Sequence, residues 1–442
     1  MRLVEDLAGQ PNQSVPQACE TWAATKAAYR FWDNPRVKAE AIRMAHQHST
    51  VERIAQQPMV LAIQDTTDLN FTHHPANQAM GYLEQPQLSG VKVHSVFGVT
   101  LEGVPLGVIH QQVWARPLDQ LGQKHQRRKR STQHKESQRW LSAQQATEEV
   151  IDKAVGILTV ADREADIFDF VAQPRRAGSH LLIRATHTRR VHQETLYLLP
   201  SIRQSPIAAK LTLELARNPQ RPARWATLSV RFKTLEIAPP RHHRQRSQYQ
   251  PMRVQVILAE EEEPPVGEPA VSWLLLSTLP VERVEQAMQC VRWYSLRWLI
   301  ERYHYVLKSG CRLEQVQLQS KERIERALAT YSVVAWRLLW LTYQAREHPE
   351  QSCQMVLQED EWQALACRML KTHKPPAKAP SLRQAVRWIA QLGGFLARTG
   401  DGEPGVKTIW RGLSRLHDIT EMWKLLAQDP HPPKGSRLMG NA

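Results

Sequence analysis

Two aspartates stand where apolar, strand-like runs give way to polar sequence. Asp65 comes just after the run 59–63, and Asp162 directly follows the run 156–161. In open α/β sheets, side chains at strand ends leave the packed core and gather at ligand sites. Two carboxylates on neighbouring strands would suit a shared divalent metal, which prefers hard oxygen ligands. Taken alone, each aspartate fits the commoner role of capping a helix or turn.

A third carboxylate lies in a long helix that is predicted over residues 284–307. At 3.6 residues per turn, four polar residues fall on one face of that helix and its continuation, namely Tyr294, Arg297, Glu301 and Lys308. The purely structural interpretation is an ion pair between Arg297 and Glu301 with a solvated Lys308. On the residues alone, that interpretation is favoured over a metal ligand.

An α/β pattern surrounds these residues. The predicted strands are 59–63, 91–101, 104–114, 156–161 and 180–184, and the predicted helices are 136–153 and 165–176. Three strands, a helix, a strand, a helix and a strand make a mixed α/β layer. Four further β-type runs precede the long helix, at 211–215, 225–237, 252–259 and 271–277. We interpret them as a β-rich insertion.

Helical sequence flanks the α/β layer on both sides. The predicted helices are 23–32 and 37–48 at the amino-terminal end, and 324–346, 382–396 and 408–426 toward the carboxy-terminal end. Residues 371–380 form a Pro/Lys linker, and residues 429–442 are expected to be disordered. The predicted domains are therefore 1–58, helical; 59–346, α/β, with the β-rich insertion at about 185–280; and 347–442, helical with a tail.

Composition limits the partners of the chain. The net charge of +15 indicates a polyanionic partner, nucleic acid before anionic lipid. No apolar run is long enough for a membrane span, and Glu5 and Asp6 argue against a signal peptide. Five scattered cysteines are expected to be free thiols in a reducing cytosol. We therefore expect a cytoplasmic protein that associates with the nucleoid when it binds DNA and has no membrane partner.

The combination of motifs resembles one enzyme family. Tyr294, Arg297, Glu301 and Lys308, at their spacing, are similar to the signature of bacterial cut-and-paste transposases of insertion-sequence family four. The segments that begin at Asp65 and Asp162, Asp-Thr-Thr and Asp-Arg-Glu-Ala-Asp-Ile, resemble the first and second aspartate motifs of that family. Segments 29–35, 93–96 and 273–276 are similar to the transposon-five branch, and the resemblance runs from about residue 20 to about residue 425.

The resemblance implies an α/β, ribonuclease-H-like (retroviral-integrase-like) catalytic core with a β-rich insertion. It implies that Asp65, Asp162 and Glu301 are catalytic and hold Mg²⁺, for which Mn²⁺ substitutes. Two such ions about 3.5–4 Å apart can activate a nucleophile and stabilise the leaving 3′-oxygen. The implied partners are double-stranded DNA, as inverted-repeat transposon ends and as target, and a second copy of the chain in a paired-end complex.

Several residues outside the carboxylate set become candidate DNA contacts. They are Tyr294, Arg297, Lys308, Trp273, Arg163, Arg184 and Arg30. The resemblance implies that Trp273 stacks on a base flipped out during hairpin formation, a contact worth roughly 1–3 kcal/mol; the alternative is a core aromatic. Surface charge is the alternative for Arg163 and Arg184. The basic runs 124–130 and 241–246 are expected to contact DNA without specificity.

The chain departs from the family pattern at two points. The family's DNA-recognition domain begins upstream of the position that matches Met1, so its first helix is expected to be absent. Tyr305 stands where close relatives carry a basic residue. The leading hypothesis is an active transposase that nicks, forms and resolves hairpins, and joins 3′ ends to target DNA. The alternatives are a shortened regulatory protein that inhibits full-length transposase by dimerisation and, third, a nuclease with the same core that does not transpose.

Overall fold

The computed structural model describes residues 2–74, 76–77, 79–122, 135–215, 224–241, 247 and 249–428. Three segments named above lie outside the described residues: the basic run 124–130, positions 242–246 of the second basic run, and the tail 429–442. All five cysteines are described; each is buried and free. Among the helices of the described ranges, none is long and apolar enough to cross a membrane.

Ten strands form one mixed sheet. They are β1 (Met59–Asn70), β2 (Gly81–Tyr82), β3 (Ser89–Val99), β4 (Pro105–Trp114), β5 (Gly156–Ala161), β6 (Ser179–Arg184), β7 (Ala209–Leu215), β8 (Arg224–Ile237), β9 (Met252–Glu261) and β10 (Ser272–Ser277). The strand order is β2-β3-β1-β5-β6-β10-β9-β8-β7, and β4 pairs with β3. The pairs β1–β5 and β5–β6 are parallel, and the other strand pairs of the sheet are antiparallel. The four strands of the predicted insertion extend the same sheet through the pairing of β10 with β6.

Thirteen α-helices lie in the described ranges. They are α1 (Arg2–Gly9), α2 (Val15–Cys19), α3 (Trp22–Asp33), α4 (Ala39–Ile54), α5 (Gln138–Val150), α6 (Phe168–Ala172), α7 (Leu198–Arg203), α8 (Val284–Ser295), α9 (Trp298–Tyr305), α10 (Lys321–Glu347), α11 (Glu359–Leu370), α12 (Leu382–Leu392) and α13 (Val406–Gln428). The chain divides into two compact units. The first comprises residues 1–37, 305–316 and 330–442, and the second comprises residues 38–304 and 317–329.

The second unit contains the whole sheet, with helices packed on its buried faces. On one side, Trp140 of α5 and Phe170 of α6 lie in a core cluster with apolar residues of β5, β6, β8 and β9. A separate cluster joins Ile54 of α4 to β1, β3 and β4. Because β1 and β5 are covered on both sides, their inner residues are buried without alternation and are mostly apolar, which is the pattern expected of buried parallel strands.

The first unit is helical. In its amino-terminal part, the fully buried Trp32 of α3 donates a hydrogen bond from Nε1 to Thr330 Oγ1 at 3.2 Å. In its carboxy-terminal part, α11, α12 and α13 form one core with residues that include Leu341, Leu382 and Ile409. The helix predicted over 408–426 carries a stripe of apolar residues, and this carboxy-terminal stripe lies mainly in the core: Ile409, Trp410 and Leu416 are buried.

Two predicted helices differ from the observed structure. The helix predicted over 165–176 is wrong, because a 3-10 turn at Arg163–Ala165 and the single-turn α6 take its place. The helix predicted over 284–307 is interrupted: α8 ends at Ser295, α9 begins at Trp298, and Val306–Gly310 is wound as a π-helix. Since π-helical winding changes the spacing of side chains, the α-helical periodicity does not extend to Lys308.

The crossing of α12 and α13 generates a stability prediction. A Cβ at Gly412 would lie 1.7 Å from the Ile389 carbonyl oxygen, so the two helix backbones are almost in contact there. We expect Gly412→Ala to destabilise the protein by roughly 1–3 kcal/mol through overpacking, although alanine is the better helix former by about 1 kcal/mol. Urea unfolding followed by circular dichroism measures the change.

Arg411→Ala provides the control for Gly412→Ala. Arg411 is exposed on the same helix, so its replacement should change the free energy of unfolding by no more than about 0.5 kcal/mol. Equal stability of the two variants would contradict the close crossing.

Candidate active site

The pairing of β1 with β5 places the two aspartates side by side. The parallel register runs to the pair Gln64–Ala161, and Asp65 and Asp162 are the next residues on the two strands. β5 ends at Ala161, whereas β1 continues to Asn70 because β3 pairs with it up to that residue. The strand predicted to end before Asp65 is therefore longer, and Asp65 lies at the point where its parallel neighbour stops.

Backbone amides orient both carboxylates. Asp65 Oδ1 accepts a hydrogen bond from Thr66 N at 2.8 Å. Asp162 caps the following 3-10 turn, and its Oδ1 accepts from Glu164 N at 2.9 Å. The alternative role of Asp162 as a cap is thus confirmed. The capping hydrogen bond uses Oδ1 and does not involve Oδ2 of the same carboxylate. Capping and ligand binding are compatible in this geometry.

Asp65 lies in a strained electrostatic position. Its side chain is 19% exposed, and Oδ2 lies 3.7 Å from His304 Nδ1. The pKa of Asp65 is raised to about 7, mainly by burial; Arg297 acts to lower it, whereas Asp162 and Glu301 contribute to the rise. Asp162 and Glu301 are therefore close enough to Asp65 to act on its charge, although the three residues are far apart in sequence.

Glu301 differs from the two aspartates in exposure. It lies on α9 with a side chain that is 55% exposed, and it forms an ion pair with Arg297, four residues earlier. Although burial alone would lower the pKa of Arg297, Glu301 and Tyr294 raise it above its usual value. Within the described ranges, no three His, Cys, Asp or Glu side chains are grouped in an arrangement that would hold a metal ion as it stands.

Aromatic residues lie beside Arg297. The Tyr294 side chain is buried and hydrogen-bonds to Arg297, and Trp273 packs edge-on against it with ring centroids 5.2 Å apart. Trp273 is half-buried. Arg184 donates from Nη2 to the carbonyl oxygen of Ser272, at 2.9 Å. The structure therefore brings these four predicted contacts into one cluster on the second unit.

The other predicted DNA contacts lie elsewhere in the chain. Arg163 is exposed directly after Asp162. Arg30 is exposed on α3, and Lys308 is half-buried in the π-helical segment; both belong to the first unit. Tyr305, where the family pattern has a basic residue, packs on Trp410 with ring centroids 5.6 Å apart. An aromatic side chain at position 305 thus has a packing role in the first unit.

Sequence reasoning missed a hydrogen-bonded network next to Asp65. Thr66 Oγ1 lies 2.9 Å from Nδ1 of the buried His94, and Arg139 Nε donates to Thr66 Oγ1 at 2.8 Å. Burial, followed by the charge of Arg139, holds the pKa of His94 well below its usual value, so the imidazole is neutral. The segment 93–96 was noticed in the sequence, but only as part of a family motif. Nothing in the sequence pattern indicated Arg139.

Three family models match the chain in succession. The model described as transposase DNA-binding matches residues 1–37, and the transposase DDE domain matches residues 56–337. The transposase Tn5 dimerisation domain matches residues 333–425. The chain has a mixed α/β sheet with two aspartates side by side where parallel strands end. Together with the match to the DDE domain, this arrangement defines the class of the protein as a polynucleotidyl transferase. Because the DDE domain covers more than half of the chain, the protein belongs to that family: it is a DDE transposase, with a DNA-binding segment, a catalytic domain of a kind that uses divalent metal ions, and a dimerisation segment.

The raised pKa of Asp65 generates a pH prediction for the metal-free protein. Because the folded protein holds the proton more tightly than the unfolded chain, the contribution of Asp65 to stability is full below about pH 4 and is lost as the pH rises to about 7. Asp65→Asn should therefore stabilise the protein at pH 8 by roughly 2–4 kcal/mol and should match the wild type near pH 4. Urea unfolding in EDTA across this pH range measures the difference.

Asp152→Asn removes the same charge from an exposed position on the same unit. The stability of this control should follow the wild type at every pH. A gain for Asp65→Asn that did not vary with pH would show that burial and repulsion do not act on Asp65.

Proposed function

We propose that the protein is a cut-and-paste transposase of insertion-sequence family four, in the transposon-five-like branch, whose Asp65, Asp162 and Glu301 carry out metal-dependent phosphoryl transfer. In this proposal it nicks the transposon ends, forms and resolves hairpins and joins the 3′ ends to target DNA. One observation carries the assignment: Asp65 and Asp162 are adjacent at the parallel β1–β5 pair and electrostatically coupled to Glu301, within the matched DDE domain.

The strand order supports a ribonuclease-H-like core. Without the short β2, the first five strands lie in the order β4-β3-β1-β5-β6, with an antiparallel meander followed by two parallel strands. The strands β7–β10 then form the proposed β-rich insertion. We propose the domains 1–58 for DNA binding, 59–346 for catalysis, with the insertion at about 185–280, and 347–442 for dimerisation.

The chemistry of the carboxylates fits Mg²⁺, with Mn²⁺ as a substitute. All three donors are hard oxygens, which these cations prefer. Burial, together with the neighbouring carboxylates, raises the pKa of Asp65 and makes its negative charge costly, and a bound divalent cation would offset that cost. Glu301 would have to exchange at least part of its pairing with Arg297 for the cation. When bound, such ions supply charge neutralisation at the nucleophilic and leaving oxygens of the phosphodiester.

The residues around the carboxylates would bind and orient the DNA. If Glu301 served as a cation ligand, the Arg297 guanidinium would be free to donate to a phosphate oxygen, held in position by its hydrogen bond with Tyr294. The half-buried ring of Trp273 can present a face to an unstacked base while its edge rests on Tyr294. Arg163, Arg184, Lys308 and Arg30 are proposed as phosphate contacts that set the register of the duplex.

The first prediction from this function concerns cleavage. Changing Asp65, Asp162 or Glu301 to Ala should abolish Mg²⁺-dependent nicking of DNA that carries the element's flanking ends. DNA binding without metal should be unchanged or tighter, because each change removes a negative charge that repels phosphate. Gel assays of strand cleavage and of DNA binding measure the two effects separately.

Glu149→Ala is the matched control, since Glu149 is an exposed carboxylate on α5; this variant should cut like the wild type. Cleavage by any of the three site variants would remove that residue from the catalytic set. A wild type that binds ends but never cuts them would favour the regulatory alternative.

A second prediction concerns the paired-end dimer. The described end of α13 exposes Met422, Leu425 and Leu426 at helical spacing, next to or within the matched dimerisation domain. Exposed apolar stripes of this kind suit subunit association. Leu425→Glu combined with Leu426→Glu should abolish paired-end complexes on native gels while binding to a single end persists.

The control for the dimer prediction replaces Glu421 with Gln on the same helix, a half-buried position that bonds to Lys424; paired-end complexes should persist. Paired-end complexes formed by the double Glu variant would place the dimer interface on another surface. Truncation after Pro380 is a poorer test, because the core of the first unit includes Leu382 and Ile409.

A further inference from the structure

Arg139 forms hydrogen bonds with both segments that follow the two aspartates. It is the second residue of α5, and its side chain is only 11% exposed. Its Nε donates to Thr66 Oγ1 at 2.8 Å, and its Nη2 donates to Glu164 Oε2 at 2.8 Å. One guanidinium therefore links the segment after Asp65 to the segment after Asp162.

The two partners of Arg139 are also the residues whose amides orient the carboxylates. Thr66 N donates to Asp65 Oδ1, and Glu164 N donates to Asp162 Oδ1. Since each side chain and amide belong to the same residue, a side-chain bond to Arg139 restrains the amide as well. The planar guanidinium presents its donors in a fixed fork, so the separation of the two segments is restrained too.

We propose that Arg139 is a positioning residue for the reaction: through Thr66 and Glu164 it sets the spacing and orientation of the Asp65 and Asp162 carboxylates. This inference rests on the proposed function of those aspartates. It adds a residue that touches neither the phosphodiester nor the cation.

The guanidinium is itself held in place. Arg139 Nη1 donates to the carbonyl oxygen of Glu136 at 3.0 Å. The guanidinium carbon lies 5.2 Å from the ring centroid of Trp140 and 6.0 Å from that of Trp114. Backbone and aromatic contacts therefore hold the guanidinium in place independently of its bonds to Thr66 and Glu164, as a positioning residue requires.

A chain of hydrogen bonds continues from Thr66 into the core. Thr66 Oγ1 accepts from Arg139, so its hydroxyl proton is directed to His94 Nδ1, which a neutral imidazole offers as an acceptor. His94 Nε2 then donates to Gln64 Oε1, at 3.2 Å. Gln64 and Thr66 flank Asp65, so the network holds β1 on both sides of the carboxylate.

The Thr66 hydroxyl offers the sharpest test. Thr66→Val keeps the β-branched shape but loses the hydroxyl, whereas Thr66→Ser keeps the hydroxyl. We expect Thr66→Val to lower kcat for Mg²⁺-dependent nicking about tenfold or more, as loss of an orienting group around a metal site does. The KM for DNA should stay within about twofold, because binding of the duplex does not depend on carboxylate alignment.

Metal affinity provides a readout that does not depend on activity. The rise in melting temperature on titration with Mn²⁺ reports cation binding directly. Thr66→Val and Arg139→Gln should shift the midpoint of this titration to Mn²⁺ concentrations about tenfold higher. Thr66→Ser should restore most of both kcat and Mn²⁺ affinity, which a variant that merely unfolds would not do.

The outcomes distinguish a failure of the proposed function from a failure of the positioning role of Arg139. If the wild type neither nicks DNA nor responds to Mn²⁺, the proposed function fails. If the wild type does both, and Thr66→Val matches Thr66→Ser in kcat and Mn²⁺ midpoint, the positioning role of Arg139 is overturned. A selective loss in Thr66→Val and Arg139→Gln, with rescue by Thr66→Ser, supports it.

Discussion

The burial of the Asp65 carboxylate close to two others, Asp162 and Glu301, is the constraint on which the site depends. The parallel β1–β5 pair places Asp65 beside Asp162, and burial together with its neighbours makes ionisation of Asp65 costly. Such an arrangement persists only when other interactions hold it. The counter-charge is Arg297, which pairs with Glu301 and acts on Asp65. Arg297 therefore acts on two carboxylates, Asp65 and Glu301, and in the proposed function a divalent cation would share that task.

The sequence predicted the sheet better than the helices that complete the site. The observed β5 has the predicted limits, and the hairpin of β3 and β4 lies within two residues of its predicted limits. Buried parallel strands and hairpins carry strong local signals. The extension of β1 past Asp65 has no such signal, because it depends on pairing with β3, which begins nineteen residues after Asn70. The break between Ser295 and Trp298 and the π-helical segment after α9 also have no such local signal.

The carboxy-terminal stripe shows a second limit of sequence reasoning. An apolar helix face is required both for a core and for a dimer interface, so periodicity cannot separate the two. The structure separates them by position along α13: Ile409 and Leu416 are buried in the first unit, whereas Leu425 and Leu426 are exposed. The matched dimerisation domain covers the buried part and ends at Leu425. The same helix can therefore stabilise its own unit near its start and present a separate apolar surface at its end.

Arg139 connects two segments that the pairing of the parallel strands β1 and β5 does not hold together. Backbone pairing fixes Asp65 and Asp162 as neighbours, yet pairing ends at Gln64 and Ala161, one residue before the carboxylates. Beyond that point, the two segments diverge, β1 toward β3 and the other chain into a 3-10 turn. A third element has to tie them together, and α5 does so with one side chain that spans 73 residues in sequence to Thr66 and 25 to Glu164. Contacts at such separations leave no periodic trace in a single sequence, which is why the carboxylates could be predicted and their support could not.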